Sequence, residues 1–303
     1  MVGLAAILAV AGLTALVWWR LAFLSGLAEV GHELAGLGSL AWRSPDGEWT
    51  EIALADTSRR QWGPTDRFLA PGWQTLGGGI RVADLPLRRA PNPQEVGVVL
   101  VAITPKRVRL RVVGEKDWSE RSVSTFAEDR GFAVTVNASY FSDEGPLGLV
   151  VSDGTRRHRA VAHRASHFLV DGPGRPPRIV NARRADTTGI KQGFQGFPSI
   201  MSGGVTYGYM RVGGRGFDIW KVDRRTAACT TRDGELLLLV TDTLTNGLSF
   251  EELATVLGGL GCVDAMGFDG GSSTALEVHV GAYHRSVRGI RPVQVVLGVS
   301  PWK

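Results

Sequence analysis

The 303-residue chain has two cysteines, Cys229 and Cys262, too few for a disulfide framework to define its fold. Both fall in expected strands near one loop, and they read either as a single bridge or as two buried thiols. The chain has no low-complexity tract and no repeat of fixed period, which excludes a solenoid or propeller. No lysine follows a G-x-x-x-x-G run, so there is no P-loop, and no G-x-S-x-G marks a nucleophile elbow. Neither a Cys-His zinc pattern nor an EF-hand loop occurs. The basic residues are scattered and lack interleaved aromatics, so nucleic acid is not an expected partner. The balance of 34 Lys+Arg against 29 Asp+Glu, with a pI near 9.5, favours anionic partners only weakly.

Charge is also missing from the N-terminus. MVGLAAILAVAGLTALVWW carries no charged side chain before Arg20, and LAFLSGLA continues the apolar run beyond it. A spanning helix needs about 20 apolar residues, and Trp18, Trp19 and Arg20 resemble an interfacial anchor. Residues 1–28 therefore read as a membrane anchor, with the remainder outside the cytoplasm. The alternatives are a signal peptide cleaved near Gly26-Leu27-Ala28, giving a secreted or periplasmic protein, and a helix buried in the globular core. Residues 29–94 read as a stem and irregular extension, and residues 95–303 as the main domain.

What the chain does have is glycine, 40 in all, placed mostly between short apolar runs. That pattern predicts turns in a strand-rich fold. VGVVLVAIT and RVRLRVV predict a pair of strands joined near Thr104-Pro105-Lys106. In the second, Arg107, Arg109 and Arg111 share one face, read as solvated. Ser124 to Arg130 predicts a short helix capped by Gly131, and FAVTVN a strand ending at Asn137. Arg232-Asp233-Gly234 predicts a hairpin. Ser249 with Glu252 forms a capping box that opens a second helix, stopped by Gly258, Gly259 and Gly261. The final run VQVVLGVS is apolar throughout, as expected of an interior strand. The fold class expected is α+β, a mixed and largely antiparallel β-sheet core with a few helices, behind the N-terminal anchor helix.

Several polar residues stand where strands end. VDAMGFDGGSSTAL places Asp269 after an apolar strand and follows it with Gly270, Gly271 and the hydroxyls of Ser272, Ser273 and Thr274. Glycines there let backbone amides approach an oxyanion. Asn137 closes its strand and leads to Tyr140 and Phe141. Arg225 and Thr226 open another strand, and Ser199 follows a proline in FPSIMSGG. His158, His163 and His167 read as surface residues, because the arginines around them oppose a divalent ion. No metal and no cofactor is expected.

The order of these segments resembles the phosphodiester glycosidase family over about residues 95–300. The matching segments are Asn137 to Phe141, Gly148 to Gly154, Pro198 to Gly204, Arg225 to Ala227, and Phe268 to Ser273. The sequence departs from the family pattern at Ser272, where a third glycine is common, and at Gly267-Phe268, where Asn-Leu is common. The resemblance implies an exported hydrolase acting on sugar 1-phosphodiesters or related anionic glycan linkages. Asp269 would stabilise an oxocarbenium-like transition state or activate water, with Asp242 as the second carboxylate. Arg225 would grip the phosphate, and the Gly270 and Gly271 amides with the Ser273 hydroxyl would hold its oxygens. Asn137 would bond a sugar hydroxyl and Phe141 pack on the ring, with Thr226, Tyr140 and Ser199 lining the site. A catalytically silent cell-envelope module that binds anionic polysaccharide is the alternative.

Overall fold

The computed structural model describes residues 39–53, 61–89, 94–161, 166–207 and 218–302. The expected anchor over residues 1–28 lies outside the described residues. Among the described residues, no helix is long and apolar enough to cross a membrane.

Strand β1 (Glu95–Ile103) is buried continuously from Val98. Its apolar residues alternate between two cores. Val99, Val101 and Ile103 face one cluster, and Val98, Leu100 and Ala102 face another. Such a strand needs cover on both sides, and that requirement sets the layers. On the first side lies a second sheet, which begins with β2 (Val108–Gly114). Outside that sheet packs helix α1 (Val123–Arg130), through Val123 and Phe126 against Val113 and Val296.

The second sheet continues with β3 (Val134–Asn137). The larger, eleven-stranded sheet gains β4 (Thr226–Thr231) and β5 (Leu236–Asp242), the hairpin expected at Asp233-Gly234. Helix α2 (Phe250–Gly259) then packs on its outer face through Leu253, Val256 and Leu257. The chain returns as β6 (Cys262–Gly267), which pairs with β4. It crosses to the second sheet for β7 (Leu276–Val280), β8 (Tyr283–Val287) and β9 (Val295–Pro301). The order there is β8-β7-β3-β9-β2, so the last strand is interior as its apolar run requires. A further five-stranded sheet contains Ser166–Val170 and Gln192–Gly196. Every described strand pair is antiparallel, so the described residues form a mostly antiparallel β structure with two α-helices.

Three expectations change. β1 and β2 do not pair with each other. The turn Pro105–Arg107 carries the chain from one sheet to the other, and the two strands meet face to face through side chains. The segment expected as a short helical stem to about Trp42, then loops and one or two strands, has a strand at the end of that stem and supplies more strands than expected. Ser39–Arg43, Trp49–Ala53, Ile80–Asp84 and Leu87–Arg89 all join the larger sheet, and Leu40, Trp42, Leu85 and Leu87 are core residues. Strands this short carry too few alternations for their period to stand out. Gly258 and Gly259 do not stop α2 either. They lie in its last turn, where a Cβ at Gly258 would come 2.2 Å from the Trp62 ring and one at Gly259 2.6 Å from Phe68.

Cys229 and Cys262 sit on the adjacent strands β4 and β6 with Cα atoms 5.7 Å apart, joined as a disulfide. The bridge spans 33 residues, and loop-closure entropy puts its contribution at about 3–4 kcal/mol. Replacing both cysteines by alanine is expected to lower the denaturation midpoint accordingly, as read by chemical denaturation under non-reducing conditions.

Candidate active site

The site forms where β3, β4 and β6 end together. Residues Ala227 and Gly267 pair across β4 and β6, and the Phe268 amide donates to the Thr226 carbonyl at 2.8 Å. Residue 225 before β4 therefore lies beside residue 269 after β6. From the opposing sheet, β3 delivers Asn137, and the Asp269 amide donates to the Ala138 carbonyl at 2.9 Å.

Asn137 is fully buried and knits these ends together. Its Nδ2 donates to the Asp269 carbonyl at 2.6 Å. Its Oδ1 accepts from Thr226 Oγ1 at 2.8 Å and from the Ala275 amide at 3.0 Å. The side chains of Asn137 and Thr226 thus position the loop rather than present free groups to a sugar, which corrects the substrate-contact role expected of both. Sealing two sheets across a dry core demands that such polar groups satisfy one another.

Asp269 carries the clearest chemical signal. Burial pushes its carboxyl up to about 6, against the lowering influence of the Ser273 hydroxyl and the Gly270 amide that bond it. The Gly270 amide reaches Asp269 Oδ1 at 3.0 Å, and the Gly271 amide donates to the Arg224 carbonyl at 2.8 Å. Both glycine amides therefore have partners within the protein, one in the loop and one just before β4, rather than standing free for the oxyanion contact expected of them. The glycines serve close approach. A Cβ at Gly270 would fall 2.8 Å from the Arg224 carbonyl oxygen, and Gly271 has φ of +58°. The Ser273 hydroxyl is likewise engaged with the catalytic candidate.

Arg225 is almost completely buried. Its Nε donates to the Leu248 carbonyl at 2.8 Å, its Nη2 to the Lys221 carbonyl, and its guanidinium lies 3.7 Å over the Phe250 ring. Among the described residues its side chain hydrogen-bonds only backbone carbonyls. Burial lowers the guanidinium pKa, and Tyr140 and Asp223 are the nearest groups that oppose the shift. Tyr140 feels both Asp269 and Arg225, and burial raises its phenol well above the ordinary range. Its hydroxyl donates to the Phe197 carbonyl at 3.0 Å.

Arg224, adjacent, is also buried, and its Nη2 donates to the Arg288 carbonyl at 2.7 Å. Its Nε and Nη1 are buried without a hydrogen-bond partner among the described residues. Arg224 and Arg225 thus bring two buried guanidinium groups to one strand end, with Asp223 acting on both.

Asp242, expected as the second carboxylate, reaches Arg224 with its charge but is already paired. Its Oδ2 pairs with Arg285 at 2.7 Å on a part-exposed edge. The carboxylate beside the Asp269 loop is Asp223, whose Oδ1 lies 3.5 Å from the position of a Cβ on Gly271. Asp223 pairs with Lys221 at 3.2 Å and accepts from the Arg224 amide at 2.9 Å. Its place two residues before Arg225 in KVDRRTAA was the available signal. At the rim, Arg291 stacks 4.7 Å over Phe141 and pairs with Glu120, and its charge reaches Asp269. Ser199 is buried in another seam, its hydroxyl bonded to Ser166 at 2.6 Å and accepting from Asn181. His167 is buried rather than exposed, and desolvation lowers its imidazole to about 4. His163 lies outside the described residues.

Comparison with known proteins places the chain in a family. The phosphodiester glycosidase family profile matches residues 130–300, more than half of the chain. A search of curated proteins finds no match. One similar solved structure is the zebrafish N-acetylglucosamine-1-phosphodiester alpha-N-acetylglucosaminidase catalytic domain, auto-inhibited by pro-peptide. It is 17% identical, with a TM-score of 0.60 over 77% of this chain and 85% of that one. A hypothetical protein from Synechocystis is also 17% identical, with a TM-score of 0.55 over 77% of this chain and 64% of that one. At such identity these two structures speak for the fold. With the family profile covering all three strand ends of the site, the chain belongs to the phosphodiester glycosidase family.

Proposed function

We propose that the protein hydrolyses sugar 1-phosphodiesters, breaking the bond between the anomeric carbon and the phosphate oxygen. One observation carries the reading: a buried guanidinium, Arg225, with no carboxylate bonded to it, and a buried carboxyl, Asp269, raised to about 6, stand at adjacent strand ends, and the charges of both act on the buried Tyr140 phenol. A phosphodiester supplies the missing counter-charge. On cleavage the electron pair of the C1–O bond stays with the phosphate, whose charge grows from about −1 to about −2. Arg225 therefore binds the transition state better than the substrate, which is what accelerates a reaction. Water supplies oxygen to C1, and ionised Asp269 takes its proton and steadies the positive charge developing on the ring. Phe141, under Arg291, offers an apolar face at the rim for the sugar or the aglycone.

A second reading is a non-catalytic module for anionic polysaccharide. It draws on Asp242, the expected second carboxylate, being paired with Arg285. An aryl sugar-1-phosphodiester turnover assay, run beside a glycan-binding assay, separates the two. Release of the aryl phosphate supports the hydrolase, and saturable binding without turnover supports the module. Action outside the cytoplasm, with an N-terminal anchor, belongs to this proposal. The Cys229–Cys262 bridge supports it, because structural disulfides persist in oxidising compartments.

A further inference from the structure

The β7–β8 hairpin carries a second group of reactive side chains, independent of the Asp269 site. Its two-residue turn, Gly281-Ala282, sets the register Glu277 opposite Ser286 and His279 opposite His284. Alternation sends Leu276 and Val278 into the core, and so puts Glu277, His279, His284 and Ser286 together on the other face. The two imidazole rings stack 4.2 Å apart, inclined by 10°. Glu277 is 6% exposed, while both histidines are exposed. Its Oε1 accepts from Ser286 Oγ at 2.6 Å, and its Oε2 lies 3.3 Å from His284 Nε2.

We propose that Glu277, His279 and His284 bind a divalent transition-metal ion of the zinc, copper or nickel class. One donor atom from each residue lies within 4.8 Å of the others. A tetrahedral ion about 2.0–2.1 Å from each donor needs them about 3.4 Å apart. The Glu277–His284 edge already meets that spacing, and rotation of the exposed His279 ring closes the rest. Two imidazoles and one carboxylate favour these ions over magnesium or calcium, which take oxygen donors. The Glu277 carboxyl group is nearly buried, with His284 Nε2 3.3 Å from its Oε2. A bound cation would supply its counter-charge. Ser286 holds the carboxylate from behind, as hydrogen-bonded outer groups do at metal sites. The exposed side leaves the remaining coordination position to water. Because β8 is the edge strand of its sheet, the ion would also pin that edge.

The test is titration of metal-stripped full-length protein with zinc chloride alone, followed by calorimetry. One saturable equivalent is expected, with affinity about tenfold or more weaker in His279→Ala and in His284→Ala. His158→Ala is expected to bind as wild type, since its Nδ1 is engaged by the Gly148 carbonyl. Zinc at about 100 times its dissociation constant is expected to raise the melting temperature by about 5 °C. Copper(II) bound to the unaltered protein should show hyperfine coupling to two nitrogens in its EPR spectrum, a readout that needs no variant. No saturable binding, or binding that survives both histidine substitutions, overturns the proposal. Asp269→Asn should bind zinc normally, so failure of the hydrolase reading and failure of this site are separately visible.

Discussion

Asp269→Asn is expected to lower kcat/KM on an aryl sugar-1-phosphodiester about a thousandfold while the protein stays folded. The amide keeps the shape of the carboxyl and still accepts from the Gly270 amide and the Ser273 hydroxyl, so the loop survives. What it loses is the ability to take a proton from water and to carry negative charge beside the sugar ring. The pH profile supplies a second check. The wild-type carboxyl titrates near 6 and acts ionised, so kcat/KM should rise as pH increases through that value. The residual activity of the variant should lack that limb.

Stability should move the other way. In the folded protein Asp269 holds its proton up to about 6, against 3.8 for an ordinary aspartate. Between those values the native state binds more protons than the unfolded chain. Stability contributed by this group is therefore complete below pH 3.8 and is lost as pH rises through about 6, a total of about 1–3 kcal/mol. Asparagine escapes that loss. The variant should melt higher than wild type at pH 7, and the gap should close as the pH is brought down towards 4. Equal melting temperatures at both pH values would mean the carboxyl is not buried as described.

Arg225→Lys is expected to cost about a hundredfold in kcat/KM, with both a higher KM and a lower kcat. A lysine keeps the charge but carries its three donors on one nitrogen, without the spread of the guanidinium fork whose Nε and Nη2 reach the Leu248 and Lys221 carbonyls separately. Because the phosphate charge grows on cleavage, part of the loss must fall on kcat. A purely structural arginine would instead lower the melting temperature and leave both constants near wild type well below it. Protection of the wild type by inorganic phosphate against thermal unfolding, absent from the lysine variant, would tie the loss to the anion.

The elements read correctly from the sequence are those whose signals are local. The Ser249–Glu252 capping box, the Gly131 cap and the Asp233-Gly234 hairpin depend on residues within a few positions of one another. The apolar run ending the chain was legible as an interior strand for the same reason. Asp269 and Arg225 drew attention as candidates because each stands at the end of such a run, and the ordered set of short motifs carried the family.

What the sequence could not display was partnership. The availability of the Gly270 and Gly271 amides depended on Asp269 itself and on the Arg224 carbonyl, the latter many residues away. That Arg285 engages Asp242 while Asp223 lies against Gly271 depended on where those distant residues come to rest. The stack of His279 on His284 required a particular turn register. In each case the group's role is set by which polar neighbour satisfies it once water is excluded, and that is a property of the packed sheets. The sequence by itself determined the strands, the caps and the chemical identity of an acid and a guanidinium at two strand ends. Only the tertiary structure decided which donors remain free for a ligand, because burial forces distant strands to complete one another's hydrogen bonds.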